Sequence, residues 1–350
     1  MKLFWCQHCG QVLYFENRSC GNCGHQLGYV AEAATLSALE PEGEIWRPVG
    51  GTGTRYRFCA NAEFDVCNWL IDAASPETLC LTCRHNRTIP DTSIEANVTA
   101  WRKLEMAKHR LFYSLLRLKL PLENRMDAPD YGLAFDFPAT LPRSPRVLTG
   151  HDNGLVTIAL AEADDVERET QRTLMHEPYR TLLGHFRHEV GHYYWDRLVR
   201  DQDKLAACRA VFGDDEMDYG EALEAHYANG APPDWPQNFV SAYAAAHPWE
   251  DFAETWAHYL HIVDTLEMAG ALGMQVNPRV DKRGDLEGRV DFDAYRMRDT
   301  SQLVEAWVPF SVALNCLNRA MGLPDAYPFV LSAQVTAKLG FINDLVHGRV

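Results

Sequence analysis

The sequence is organised around one stretch, Leu183-Gly184-His185-Phe186-Arg187-His188-Glu189-Val190-Gly191-His192-Tyr193-Tyr194-Trp195-Asp196. Two of its histidines, His188 and His192, are four residues apart, so on a helix both imidazoles point the same way and reach one metal ion. Glu189 follows the first histidine, where a carboxylate can take a proton from a water molecule that zinc has made more acidic. The motif predicts a catalytic zinc site on a helix and a metal-dependent hydrolase, in the first place a peptidase.

The helix that carries this motif is predicted to begin at Pro178, a residue that suits a first helical turn, and to run to about Arg200. It contains Gly184 and Gly191, and a glycine inside a helix costs about 1 kcal/mol relative to alanine. Such glycines indicate that another chain segment or a ligand comes close to the helix. His185 is interpreted as a packed histidine, with a position next to the metal ligands or the substrate as the alternative.

The composition is that of a globular protein with an acidic surface. The chain has 350 residues, 47% of them apolar, which allows one large domain or about two to three small ones. Its 33 Lys and Arg against 48 Asp and Glu give a net charge of −15, which repels phosphate backbones and anionic membranes. The amino terminus has no apolar run typical of a signal peptide, and no later run approaches a membrane span. We expect a cytoplasmic protein that binds neither nucleic acid nor membranes.

Eight of the ten cysteines lie in the first 83 residues, with the spacing of metal ligands. The first four form two Cys-x-x-Cys pairs, which predict a zinc ribbon, with two disulfides or free thiols as the alternative: Cys6, Cys9, Cys20 and Cys23. Because four thiolates fill a tetrahedral zinc and leave no open position, this zinc is predicted to be structural. Reduced, metal-binding cysteines also fit a cytoplasmic location.

A second set of four cysteines follows with wider spacing: Cys59, Cys67, Cys80 and Cys83. It predicts a second structural zinc, with buried free cysteines as the alternative. Three histidines beside the two sets are expected at the surface, because each set already has four sulfurs: His8, His25 and His85. Residues 31–53, which are rich in Glu, Gly and Pro, are predicted to form a connector with one hairpin.

The chain that follows predicts a helix and then a small sheet. Thr92 and Glu95 make a capping box, and an apolar pattern with helical period continues until Pro121. Alternating apolar residues around Phe135 and a short apolar run at 155–160 predict strands ahead of the motif helix. The sequence therefore predicts a cysteine-rich domain over 1–90 and a second domain over 91–350.

Two cysteines in apolar surroundings, and a set of apolar residues at helical spacing near the carboxyl terminus, are expected in the core: Cys208, Cys316, Trp307, Phe310, Leu314, Leu317 and Met321.

A catalytic zinc needs a third protein ligand, with a fourth position left for water. The best source is Glu250 and Glu254, which follow Pro248 in a predicted helix and share one face because they are four residues apart. Large apolar residues surround these glutamates, so at least one is predicted to be buried, and a buried carboxylate needs a metal or a partner. One of the two is expected to bind the zinc, while the other holds a ligand histidine by its second ring nitrogen. The residues alone leave open which glutamate has which role.

The order of these motifs resembles the gluzincin clan of metallopeptidases, in which HExxH is followed later in the chain by Glu-x-x-x-Glu. The segment from Glu250 to Glu254, Glu-Asp-Phe-Ala-Glu, is similar to the second motif of anthrax lethal factor and its relatives. The resemblance implies that Glu250 is the third zinc ligand and that Glu254 supports a ligand histidine from outside the coordination of the metal. It also implies that Tyr243, seven residues before the ligand, stabilises the oxyanion of the reaction.

The whole chain resembles a bacterial family of zinc-binding metallopeptidases with an amino-terminal zinc ribbon. The likeness covers nearly all 350 residues and includes Tyr179-Arg180-Thr181, His185-Phe186-Arg187-His188, His247-Pro248-Trp249-Glu250 and Tyr327-Pro328-Phe329. It implies an α+β fold in which a small β-rich zinc-ribbon region precedes a mostly helical, gluzincin-like peptidase domain with a small sheet. With the cysteine sets, it implies one catalytic and two structural zinc ions and a peptide or protein substrate. The alternative is a non-catalytic zinc-binding module that regulates or binds a protein partner through the ribbon.

Overall fold

In the computed structural model, which describes residues 2–51, 53–139, 149–174 and 180–350, the chain folds into two compact units. The first unit comprises Met1–Leu115 and Pro121–Thr170, and the second comprises Leu116–Leu120 and Gln171–Val350. Strands dominate the amino-terminal region and helices dominate the carboxy-terminal part, so the protein has mixed α and β structure. The division into domains 1–90 and 91–350 stays a prediction.

The amino-terminal strands of the first unit form two antiparallel sheets. Strands β1 (Phe4–Trp5) and β2 (Val12–Leu13) pair with each other. The larger sheet has five strands in chain order: β3 (Gln26–Val30), β4 (Thr35–Glu42), β5 (Ile45–Pro48), β6 (Tyr56–Phe58) and β7 (Leu70–Asp72). The N–H of Tyr29 donates a hydrogen bond of 2.8 Å to the carbonyl oxygen of Asn68, just before the last strand. This bond links the two edges of the five-stranded sheet.

Residues 31–53 contain the predicted hairpin, which strands β4 and β5 form, but they belong to the five-stranded sheet and are not a connector. Arg47 on β5 forms ion pairs with Glu40 and with Glu42 on β4, and the Nε to Oε1 distance of the second pair is 2.7 Å. The glutamates that suggested an exposed loop are therefore partners in cross-strand ion pairs. On the same strand Leu36 and Ala38 are fully buried, which fixes β4 in the core of the sheet.

Helix α1 (Glu95–Arg117) and a four-stranded sheet follow. The strands of this sheet are β8 (Asn86–Thr88), β9 (Ala134–Asp136), β10 (Gly150–Asp152) and β11 (Leu155–Thr157), in the spatial order β10-β11-β9-β8. Strand β9 is parallel to both of its neighbours, whereas β10 and β11 are antiparallel. The strands predicted around Phe135 and at 155–160 are confirmed. Helix α2 (Asp165–Leu174) comes next.

The second unit is mostly helical. Its helices are α3 (Leu182–Leu198), α4 (Leu205–Phe212), α5 (Tyr219–Asn229), α6 (Trp235–Asn238), α7 (Pro248–Ala271), α8 (Thr300–Ala320) and α9 (Ala333–Val346). Two short antiparallel strands, β12 (Gln275–Val276) and β13 (Gly288–Arg289), lie between α7 and α8. No helix in the part of the chain that the structure describes is both long and apolar enough to cross a membrane.

Helix α3, which carries the HExxH motif, begins at Leu182. Thr181 has an extended backbone conformation. Its side-chain oxygen accepts a hydrogen bond of 3.0 Å from the N–H of Gly184, so Thr181 caps the helix. The helix therefore starts later than predicted, and Pro178 itself lies outside the described residues.

Helices α3 and α7 are in close contact at Gly191. A Cβ atom at this position would lie 3.0 Å from the Cα and 3.2 Å from the carbonyl oxygen of Ala253. The α7 residues that face Gly191, Ala253 and Trp256, are fully buried, and so is the adjacent Phe252. The prediction that another chain segment passes close to the motif helix at Gly191 is confirmed.

Part of the core predicted near the carboxyl terminus is wrong. Trp307 and Phe310 are buried, but Leu317 and Met321 are 58% and 77% exposed. Leu314 and Cys316 are exposed as well. Apolar residues at helical spacing define a face of α8, but the spacing does not tell whether another element covers that face.

We predict that Gly191→Ala destabilises the protein. The new methyl group would meet backbone atoms of α7, and such overpacking costs about 1–3 kcal/mol, which exceeds the gain of about 1 kcal/mol in helix propensity. Chemical unfolding followed by circular dichroism measures the change. The control is Gly340→Ala in α9, where the Cβ would only approach Thr300 Oγ1 at 3.8 Å and the variant should be at least as stable as wild type. A Gly191→Ala variant as stable as wild type contradicts the assigned contact.

Candidate metal centre

Two histidines of α3 and one glutamate of α7 point their donor atoms at one another. The Nε2 atoms of His188 and His192 are 3.2 Å apart. Oxygens of Glu250 lie 3.0 Å from His188 Nε2 and 3.5 Å from His192 Nε2. Three ligands of a tetrahedral zinc, with bonds of about 2.0–2.1 Å, lie about 3.3 Å from one another. The three donors therefore have the spacing that a zinc ion requires.

The first turn of α7 places Glu250 at this position. Pro248 begins the helix, as predicted, and His247 caps it by accepting a hydrogen bond of 3.1 Å from the N–H of Trp249. The next residue, Asp251, is fully buried and forms an ion pair of 2.6 Å with Lys338 of α9. The His247 cap and the ion pair between Asp251 and Lys338 together fix the first turn of α7, and with it the direction in which the Glu250 side chain points.

The Glu250 carboxylate is in a place that suits a metal ligand. It is 1% exposed, and its Oε2 accepts no hydrogen bond from the described residues. Burial alone would raise its pKa, but the imidazoles of His192 and His188 hold that pKa well below its usual value. A buried, ionised carboxylate beside two imidazole nitrogens is a donor set that zinc prefers.

Glu254 lies on the outer side of His188 and does not join the three donors. Its Oε1 is 2.7 Å from His188 Nδ1, and its Oε2 accepts a hydrogen bond of 2.7 Å from the hydroxyl of Ser241. Burial would raise the pKa of Glu254, but these hydrogen bonds, above all the one from His188, lower it to about 2. With Nδ1–H donating to this carboxylate, His188 presents the lone pair of Nε2 to a metal.

Tyr219 on α5 was not identified from the sequence. Its hydroxyl donates a hydrogen bond of 2.7 Å to Glu250 Oε1. Burial and the neighbouring carboxylate raise the pKa of Tyr219, so the hydroxyl stays protonated and keeps donating. The indole of Trp249, also missed, covers His192 with ring centroids 3.8 Å apart. Tyr219 belongs to no recognisable motif, whereas Trp249 lies in the segment His247-Pro248-Trp249-Glu250, whose resemblance to the family did not indicate this contact.

Glu189 and Tyr243 lie beside the donors, and their polar groups make no hydrogen bond with the described residues. Glu189 is 8% exposed, and burial raises the pKa of its carboxyl, although His188 and His192 oppose the shift. The Tyr243 ring centroid is 6.0 Å from that of His188, and burial raises the pKa of its hydroxyl. Both groups are therefore available to a water molecule or a substrate.

The two cysteine sets form separate clusters in the first unit, each with sulfurs within 4.8 Å of one another. In the first set, the sulfurs of Cys6 and Cys23, and those of Cys9 and Cys20, are 3.6 Å apart. In the second set, all four cysteines are buried, and the sulfurs of Cys67 and Cys80 are 3.7 Å apart. Sulfurs on a tetrahedral zinc, with bonds of about 2.3 Å, lie about 3.8 Å apart. Both clusters have the chemistry and the spacing of zinc sites.

The expected surface position of the three neighbouring histidines is wrong for His85. Its side chain is buried, with Nδ1 at 2.8 Å from the carbonyl oxygen of Leu81 and Nε2 at 3.2 Å from that of Leu122. Burial lowers the pKa of His85 to about 4, so it serves as a neutral packing residue. His8 and His25 stack on each other at the edge of the first cluster, with ring centroids 4.1 Å apart.

We predict that Tyr219→Phe weakens zinc binding at the candidate site formed by His188, His192 and Glu250. Loss of a hydrogen bond to a metal ligand typically lowers metal affinity by about 10- to 100-fold. Competition with a chromogenic chelator measures the zinc affinity. Tyr227→Phe, on the same helix with a 64% exposed ring, is the control and should bind zinc as wild type does. Equal zinc affinity in Tyr219→Phe and the control shows that the hydroxyl does not hold the ligand.

The chain matches two known protein families, one after the other. Residues 97–345 match the family described as "Putative zinc-binding metallo-peptidase", and residues 3–94 match a zinc-ribbon domain family. The second four-cysteine cluster therefore lies within the segment that matches the ribbon family.

Relatives match over nearly the whole length. An uncharacterized protein of Mycobacterium bovis and two of Mycobacterium tuberculosis strains are each 40% identical to this chain over 347 residues. The matched region is 99% of this chain and 95% of each relative. No solved structure matches the chain. On these grounds, and with a two-histidine, one-carboxylate donor set inside the matched segment, the chain belongs to this family of zinc-binding metallopeptidases and carries an amino-terminal zinc ribbon.

Proposed function

We propose that the protein is a zinc-dependent metallopeptidase that hydrolyses peptide bonds with Glu189 as the general base. One observation carries the proposal: His188, His192 and Glu250 converge with zinc-like spacing beside a buried carboxylate that makes no hydrogen bond with the described residues. A zinc ion held by these three residues supplies a Lewis acid and lowers the pKa of water to about 7.

The remaining chemistry belongs to the side chains. Glu189 takes the proton of the attacking water and returns it to the leaving amine, a task that suits a carboxyl whose pKa burial has raised. Tyr243 keeps its proton because burial raises its pKa, so it can donate a hydrogen bond to the oxyanion that forms on the substrate. One group thus transfers a proton and the other stabilises charge.

The proposal places the protein in the gluzincin class, with the ligand pattern of lethal factor and its relatives. Glu250 is proposed as the third ligand, since its oxygens face the two Nε2 atoms. Glu254 is proposed as the partner of His188, since it contacts the opposite ring nitrogen. The distances in the structure thus support the roles of Glu250 and Glu254 that the sequence resemblance implies.

We further propose three zinc ions per chain, one catalytic and two structural, and a cytoplasmic enzyme that does not bind nucleic acid. The two tetrathiolate clusters leave no coordination position for a substrate, so their zinc would hold the fold. The net charge of −15 supports the absence of nucleic-acid binding.

One observation favours the second candidate, a non-catalytic module that binds a protein through the ribbon. Trp5 on β1 and Val12 on β2 are opposite each other, and both are exposed, at 65% and 51%. Tyr14, two residues farther on, is 61% exposed. An exposed apolar patch of this kind is typical of an interaction surface, and an active enzyme can also carry one.

We predict that Glu189→Gln keeps the zinc and lowers turnover by at least about 100-fold, because the amide cannot accept the proton of water. Peptide-library cleavage and terminal proteomics of wild type and variant measure the effect. Glu221→Gln, an exposed change on α5, is the matched control and should cleave normally. If Glu189→Gln cleaves as fast as wild type on any substrate found, the mechanism is wrong. If neither protein cleaves any peptide, the binding module is favoured.

Zinc content gives a separate prediction. Wild type should hold three zinc ions per chain, and His188→Ala should lose one and keep the two bound by cysteines, because its imidazole serves the catalytic site alone. Elemental analysis of the purified, dialysed proteins measures the number. A loss of two ions, or of none, contradicts the assignment of the sites.

A further inference from the structure

The second cysteine cluster is buried far more completely than the first. Its members are at most 2% exposed: Cys59, Cys67, Cys80 and Cys83. Four thiolates and one divalent zinc carry a net charge of −2, and burying such a charge is costly unless hydrogen-bond donors surround it. The centre therefore needs donors from the surrounding protein.

Backbone and hydroxyl groups supply some of these donors. The N–H of Trp69 lies 3.4 Å from the sulfur of Cys67, and the N–H of Cys80 lies 3.3 Å from that of Cys59. The hydroxyl of Thr82 lies 3.2 Å from the sulfur of Cys80. All of these donors come from the cysteine-bearing segment itself.

His109 of helix α1 comes from a different part of the chain. It is 4% exposed, and its Nε2 lies 3.6 Å from the sulfur of Cys67, within reach of an N–H to sulfur hydrogen bond. Its ring stacks on the indole of Trp69, with centroids 5.4 Å apart and planes 22° apart. The imidazole is therefore held with Nε2 directed at the sulfurs.

A buried ion pair on the same helix, Glu105 with Lys108, lies beside the same nitrogen of His109. Glu105 Oε2 lies 3.7 Å from His109 Nε2, and its other oxygen accepts a hydrogen bond of 2.9 Å from Lys108. Trp101 and Asn86 donate to that same oxygen at 3.0 and 2.7 Å. Both Glu105 and Lys108 are completely buried.

We propose that His109 is a fifth group of the second metal centre, donating its Nε2–H to the Cys67 thiolate from outside the coordination of the metal, with the stacked indole of Trp69 holding the imidazole in place. The segment that matches the ribbon family ends at residue 94, whereas His109 lies in the segment that matches the peptidase family. The first helix of the peptidase segment is thus a structural part of the second zinc centre of the ribbon.

Zinc affinity of the full-length protein tests this role. His109→Leu removes the donor and should loosen the second structural zinc by about 10- to 100-fold in chelator competition. His109→Gln keeps an N–H donor and should loosen it clearly less. Phe112→Leu is the control for general loss of packing on α1, since Phe112 is fully buried and contacts His85 instead. It should lower stability without changing the zinc affinity.

Two results would overturn the proposal. The first is an unchanged affinity of the second ion in His109→Leu, or equal loosening in the Leu and Gln variants. The second needs no variant and so does not depend on their folding: in cobalt-substituted wild-type protein, the ligand-field bands of both structural centres should be those of four thiolates. Bands of three thiolates and one imidazole would show that His109 binds the metal itself and displaces a cysteine.

Discussion

Helices α3 and α7 approach closely because residue 191 is a glycine, and the metal site depends on that approach. Even a methyl group at Gly191 would be 3.0 Å from the Cα of Ala253. Three residues before Ala253, the first turn of α7 presents Glu250 to the two imidazoles of α3, with oxygens 3.0 and 3.5 Å from the ring nitrogens. Ligand positions in a metal site tolerate errors of only about 0.2 Å. The positions of the three donor atoms therefore depend on the close contact between α3 and α7.

Some residues around the site orient the proposed metal ligands, whereas others remain available to a water molecule or a substrate. Glu254 binds the outer nitrogen of His188, and Tyr219 donates to Glu250, so hydrogen bonds orient two of the three proposed ligands. Glu189 and Tyr243 make no such bond with the described residues. A hydrolytic site requires this division, because ligands must stay fixed while a base and an oxyanion donor act on the substrate.

Local spacing explains what the sequence could predict. The four-residue step from His188 to His192 is a property of any helix, and the Cys-x-x-Cys pairs are equally local. Tyr219 reaches Glu250 across 31 residues, a contact that only tertiary packing creates. The hairpin within residues 31–53 was predicted, but its place in a five-stranded sheet was not, because its glutamates suggested a loop and in fact pair across strands. His109 did carry a signal, since it lies on an otherwise apolar helix face together with two other ionisable residues.

The most direct measurement is the position of anomalous scattering from zinc in crystals of the full-length protein, recorded on both sides of the zinc absorption edge. The account predicts a peak about 2.0–2.2 Å from His188 Nε2, His192 Nε2 and one oxygen of Glu250. Glu254 should remain bound to the other nitrogen of His188. A peak coordinated by Glu254 in place of Glu250, or no peak at these histidines in protein that retains its cysteine-bound zinc, would contradict it.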